Sequence, residues 1–195
     1  MTTAMRKTGN VVAACACVLI LAACVTPARA ATDADALSRE ILDATGVQGG
    51  LIVHVGCGDG KLTAALRASD SYSVHGLDAD PTNVARARDH IRSLGVYGIV
   101  AVDHLRDAEL SYVDNSVNLI VSEDLGAVPM AEVRRVLCPN GVAYIKGDGG
   151  WVKTVKPRPA ALDDWTHYLH SAGNNAVSHD TVVGPPRRLQ WVGSP

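Results

Sequence analysis

Leu51-Ile52-Val53-His54-Val55-Gly56-Cys57-Gly58-Asp59-Gly60-Lys61 decides how this chain folds. Four of its first five residues are apolar and three are β-branched, the composition of a short strand buried on both faces of a parallel sheet. Glycines at 56, 58 and 60 follow, where the backbone must turn sharply and let a ligand or another segment come close. Lys61 then opens a helix with Leu62, Ala65 and Leu66 on its inner side. The stretch reads as a β-loop-α unit whose loop and helix start present backbone N–H groups to an anionic group.

The same grammar extends in both directions. Upstream, Thr32 is placed to cap a helix with Leu37, Ile41 and Leu42 at helical spacing, and Gly46 supplies a left-handed stop. Downstream, Tyr72 to Leu77 reads as a second strand. Asp80 then caps a helix with Pro81 in its first turn and Val84, Ala87, Ile91 and Leu94 on one face, ended by Gly95. Ile99–Val102, Val117–Val121 and Val142–Lys146 read as three more strands. Met130, Val133, Val136 and Leu137 mark a helix before the last of them, with Pro139-Asn140-Gly141 as a turn. Strands alternating with helices predict an α/β fold over residues 50–147, a doubly wound parallel sheet of five strands linked by right-handed crossovers. From Trp151 onward the periodicity fails. An irregular tail is expected there, and a sheet left incomplete at its C-terminal side.

With 195 residues, of which 47% are hydrophobic, one core and one main domain are expected. The formal charge of -2 offers no general attraction to nucleic acid or to an anionic membrane. Arg6 and Lys7 precede an apolar run from Val11 to Val25, shorter than the roughly 20 residues that span a bilayer. The run reads as a secretory signal, cleaved after Ala28-Arg29-Ala30 or before a lipidated Cys24 at Leu21-Ala22-Ala23-Cys24. The expected organisation is therefore a signal over 1–30, a ligand-binding domain over 31–150 and a linker with an irregular tail over 151–195. An exported protein of the periplasm or cell envelope is expected, membrane-bound only if lipidated at Cys24. Processing leaves Cys57 and Cys138, too far apart to suggest a disulfide framework or a zinc site. They read as small fillers of tight loops.

The glycine spacing separates two ligand classes. A dinucleotide loop would place its third glycine where Lys61 stands, to bring the helix end to a pyrophosphate. Here that glycine is one position early. About twenty residues further on, Gly76-Leu77-Asp78 closes the second strand, where an acidic side chain can accept both hydroxyls of a ribose. A capping role is the alternative for Asp78, although Asp80 fills that role better.

Val55 to Gly60 resembles the first motif of class I S-adenosylmethionine-dependent methyltransferases, which have a Rossmann-like fold. The resemblance continues through Gly76-Leu77-Asp78, through Asp103-His104 and Asn115 to Val121, and through Glu132 to Gly141. It implies that Gly56, Cys57, Gly58, Asp59 and Gly60 meet the methionine end of S-adenosylmethionine. Asp78, with Ala79 beside it, would lie at the ribose, and Asp103 and His104 near the adenine. Two departures stand out: the family usually has an acidic residue at the position of His54 and an aspartate at that of Asn118. His54 reads more simply as a core histidine satisfied by backbone. Glu123 and Asp124 lie where the family often touches substrate, but read more simply as solvated loop acids or a helix cap.

No catalytic base can be assigned, and transfer to a good nucleophile needs mainly positioning. The methyl acceptor is left unknown. A non-catalytic binding or scaffold domain is the alternative, and a nucleotide-dependent oxidoreductase a weaker third. In the tail, Asp163 to Tyr168, Asn174 to Val177 and Pro185 to Trp191 resemble the lead-in to a pyrroloquinoline-quinone-like β-propeller. His167, His170 and His179 match no standard ligand spacing, so no metal site is expected.

Overall fold

The computed structural model describes residues 32–181. The expected signal segment, with Cys24 and both cleavage sites, lies outside the described residues, as does the Pro185–Trp191 part of the tail.

Helix α1 (Asp33–Thr45) opens with a reciprocal cap. Thr32 Oγ1 accepts from the Asp35 N–H at 3.2 Å, and Asp35 Oδ2 accepts from the Thr32 N–H at 2.8 Å. Gly46, at φ 72°, ends it. Then come β1 (Gly50–Val55), α2 (Lys61–Ala65), β2 (Tyr72–Asp78) and α3 (Pro81–Ser93), the last capped by Asp80 as its sequence predicts. β3 (Val100–His104), β4 (Val117–Ser122), α4 (Met130–Val136), β5 (Leu137–Gly147) and β6 (Gly150–Val155) complete the order. One six-stranded sheet runs β3-β2-β1-β4-β5-β6. Strands β1 to β5 are parallel, and β6 is antiparallel to β5.

The order of strands reverses between β1 and β4, and at such a switch point the carboxyl ends of the strands leave a crevice for a ligand. Both faces of the sheet are covered. Ile41 and Leu42 of α1, Leu66 at the end of α2, and Val84, Ala87 and Ile91 of α3 pack on Ile52, Val74, Val100, Leu119 and Val121. On the other face Val133 and Val136 of α4, with Leu110 and Val128 from connections, meet Val53, Val55, Leu77 and Ile120.

Two expectations need correction. The tail was expected from Trp151, yet Gly150–Val155 is a sheet strand, so the ordered domain passes residue 150. An edge strand with one half-covered face carries little apolar pattern. Val152 and Val155 are exposed, and the anchor is Trp151, stacked on Tyr144 at 5.0 Å between ring centroids and 3° between planes. Likewise Pro139-Asn140-Gly141 is a bulge within β5. The register shifts between Val117 and Leu119, Asn140 takes φ 64°, and the bulge is held from outside by Asn140 N–H to Lys156 O at 2.8 Å. Beyond β6 the described tail is irregular, apart from a bridge between His167 and His170.

Candidate functional site

The loop after β1 is fastened to the end of β2. The N–H groups of Gly56 and Cys57 both donate to Leu77 O, at 2.8 and 3.0 Å, and the Gly58 N–H donates to Asp78 Oδ2 at 2.8 Å. Asp78 is buried, with its other oxygen accepting from the Asp80 N–H at 2.9 Å and from Asn83 Nδ2 at 3.1 Å. A carboxylate has about four lone-pair sites, so three internal donors leave room for one more. Asp78 thus joins the glycine loop to the start of α3 and keeps capacity for a single hydroxyl, where the sequence reading gave it two.

The glycines serve different ends. Gly60, at φ 78°, lies so close to α3 that a Cβ there would sit 2.8 Å from Ala87 Cβ. Gly58, at φ 54°, has nothing within 4 Å of where its Cβ would be, so open space adjoins the loop beside Asp78. Asp59 pairs with Lys61 at 2.7 Å on the outside of the turn. Burial first, and then the Asp78 charge, push the Cys57 thiol up to about 12, which removes it as a nucleophile or methyl acceptor near neutral pH.

His54 and Asn118 have structural explanations. His54 is buried, with Nδ1 2.8 Å from Thr63 Oγ1, so its partner is a side chain of α2 and not the expected backbone. Burial lowers its pKa to about 4 against the opposing charges of Glu123 and Asp78, leaving a neutral ring at this position. Asn118 lies at the amino end of the sheet, where its Oδ1 accepts from the Leu51 N–H at 3.0 Å and its Nδ2 lies 3.6 Å from Cys138 Sγ. It sits at the opposite end of β1 from the glycine loop, so an amide there removes no carboxylate from the site. Glu123 pairs with Lys146 at 2.8 Å, and Asp124 Oδ1 accepts from the Gly126 N–H at 2.8 Å, both as loop acids.

Ala79 and His104 join Asp78 at the strand ends. His104 Nε2 lies 3.0 Å from Ala79 O, and the Leu105 N–H donates to Asp78 O at 2.9 Å. Asp103 does not join them. Alternation along β3 sends its side chain to the other face, where its carboxylate holds His75 Nε2 at 3.1 Å and Arg88 Nη2 at 2.6 Å. His75 Nδ1 in turn lies 2.5 Å from the Tyr112 hydroxyl, whose pKa burial pushes upward. This chain of four side chains lines a cavity of about 520 Å³. Sequence reasoning missed it. Same-face alternation of His75 and Leu77 with Asp103 was a usable signal, whereas Tyr112 comes from an irregular connection and gave none.

Residues 52–141 match a family described as a methyltransferase domain. Methyltransferase GfsG of Streptomyces halstedii is 33% identical over 96 residues, which are 46% of this chain and 34% of that protein. A protein assigned as an S-adenosyl-L-methionine-dependent methyltransferase of Methanococcus maripaludis aligns with a TM-score of 0.53 at 23% identity, covering 58% of this chain and 54% of its own. A protein assigned as a sarcosine dimethylglycine methyltransferase of Galdieria sulphuraria gives 0.51 at 26%, covering 57% and 45%. The [4+2]-cyclase SpnF gives 0.52 at 22%, covering 67% and 50%. The chain thus spans about a third of the curated relative and about half of these solved proteins. Residues 52–141 therefore match a methyltransferase domain family, and the sheet has the Rossmann-like fold of the solved methyltransferases with which it aligns.

Proposed function

We propose that this domain binds S-adenosylmethionine at the carboxyl ends of β1 and β2 and catalyses methyl transfer to an acceptor of unspecified class. The observation that carries the reading is the open space beside Gly58, adjoining a buried carboxylate with one acceptor site left, at the switch point of the sheet. When bound, S-adenosylmethionine supplies an electrophilic methyl group on a sulfonium. Gly56, Cys57, Gly58, Asp59 and Gly60 shape the wall that receives its amino-acid end, and the loop's attachment to Leu77 and Asp78 fixes that wall before binding. Asp78 takes a ribose hydroxyl, while Ala79 and His104 border the base. Asp103 faces the other side of β3, which removes it from this set. The chain's own contribution is then positioning, which suffices for a good nucleophile.

Calorimetric titration with S-adenosylmethionine and its demethylated product tests the reading. Binding in the wild type that is lost in Gly58→Val supports it, because a β-branched residue at that positive φ both resists the backbone and fills the open space. Folded wild type that binds neither compound sinks it. Export is part of the same proposal, supported by Arg6, Lys7 and the apolar run Val11–Val25. So is a β-propeller lead-in, supported by the tail motifs from Asp163 to Trp191. N-terminal mass analysis of the exported product, beginning at Cys24 or Ala31, tests the former.

A further inference from the structure

Residues 156–181 contribute nothing to either apolar cluster of the domain. The one residue buried among them is a histidine, His170, at 5% exposure. Trp165, Tyr168 and Val177, the large apolar residues that would ordinarily hold such a segment together, are exposed instead. What surrounds His170 is polar. Its Nε2 lies 2.5 Å from Asp163 Oδ2, and the same oxygen lies 3.4 Å from His179 Nδ1. The two imidazole rings stand 5.2 Å apart between centroids, and one donor atom from each of Asp163, His170 and His179 falls within 4.8 Å of the others.

We propose that Asp163, His170 and His179 hold one divalent transition-metal ion of the zinc class. Two imidazoles and a carboxylate are the donors that zinc takes in three-ligand sites that keep a fourth position for water. Tetrahedral bonds of ~2.0–2.2 Å put the donors roughly 3.3–3.5 Å apart. The His179 to Asp163 separation already has that value, so binding requires opening the His170 to Asp163 contact by about an ångström and turning the exposed His179 ring inward. The carboxylate is held ready for this. Asp163 Oδ2 also accepts from the His179 N–H at 2.7 Å, and the Asp163 N–H donates to Asp180 Oδ1 at 2.5 Å. Ser178 Oγ donates to the other oxygen of Asp180 at 2.9 Å. Trp165 and His170 meet in a T-shaped contact at 5.6 Å between ring centroids, and the N–H groups of Thr166 and His167 both donate to His170 O.

The ligands come from separate points along a segment without a core, and an ion joining them supplies the folding energy that apolar contacts do not. His167, also flagged in the sequence, is not among the three residues whose donor atoms converge. No sequence spacing pointed to this set. Its carboxylate member is Asp163, seven residues before His170, and the sequence reading looked only at histidines.

The test uses the full chain purified without a polyhistidine tag, stripped with a chelator and titrated with zinc(II), with cobalt(II) as a spectroscopic probe. One ion per chain is expected, together with zinc-dependent protection of residues 156–181 from protease. His179→Ala, at the most exposed ligand, leaves the rest of the fold in place and is expected to weaken zinc binding at least tenfold. Asp163→Asn is expected to do the same, and S-adenosylmethionine binding stays unchanged in both. A folded wild type that takes up no zinc overturns the proposal. So does uptake that survives both variants and disappears on thiol alkylation, which assigns the ion to cysteines.

Discussion

Asp78 carries two duties through one carboxylate, and removing it separates them poorly. Asp78→Ala leaves the part-buried N–H of Gly58, the exposed Asp80 N–H and the half-buried Asn83 amide without their acceptor, so we expect a loss of about 2 kcal/mol in urea unfolding. S-adenosylmethionine affinity should fall at least tenfold in the same variant. Asp78→Asn retains an acceptor oxygen and should recover much of the stability but little of the affinity. His54 has a different signature. Its folded pKa of about 4 lies below the unfolded value of 6.5, so the unfolded chain binds the proton more readily. Stability is therefore full above pH 6.5 and drains as pH falls toward 4, by about 3 kcal/mol from this residue. Urea melts across that range should show the loss in the wild type and a flatter profile in His54→Asn. An equally steep profile in the variant would place the titrating group elsewhere. That Asp78 lies beside the glycine loop was legible in the sequence because spacing along one β-loop-α unit is local information. The sequence did not identify Thr63 as the partner of His54, or the Asp78 contact to Asn83, because those depend on how α2 and α3 lie on the sheet.

Among the elements, the central strands were legible and the edge was not. β1 and β4 are apolar along their length because both faces are covered, whereas β6 packs one aromatic and exposes the rest, so its pattern resembles a linker. Trp151→Ala should therefore cost about 2 kcal/mol and, by hydrogen exchange, release β6 amides while those of β1 stay protected. The connection between β3 and β4 was equally opaque, since polar contacts replace helical periodicity there. Arg135 of α4 donates to Tyr112 O and Leu110 O, both at 2.9 Å, and to Asp114 and Glu132 at 2.6 Å. Arg135→Ala should raise protease cleavage within residues 105–116 severalfold with little change in the cutting of α3. Unchanged cleavage would mean that Glu132, which accepts from the Leu110 N–H at 2.7 Å, holds the connection without its arginine.

At the scale of the molecule, a ligand that binds the folded domain alone stabilises it by mass action. S-adenosylmethionine at a hundred times its dissociation constant should contribute about 2.7 kcal/mol, or a rise in melting temperature of about 5 °C or more. Scanning calorimetry with and without the cofactor checks this, and zinc should add its own increment if the two sites are independent. The overall topology was readable because alternation of strand and helix repeats from β1 to β5.

The antiparallel course of β6 has a consequence for what this domain can carry. Val155 lies beside Val142 at the start of β5, and Lys156 exchanges backbone hydrogen bonds with Asn140 and Gly141, so the chain leaves the sheet at the end farthest from the glycine loop. Bulk grafted at the exposed Pro157–Pro159 stretch would therefore hang from the base of the domain and leave the glycine loop unobstructed. The fold thus puts the glycine loop at one end of the sheet and the exit of the chain at the other.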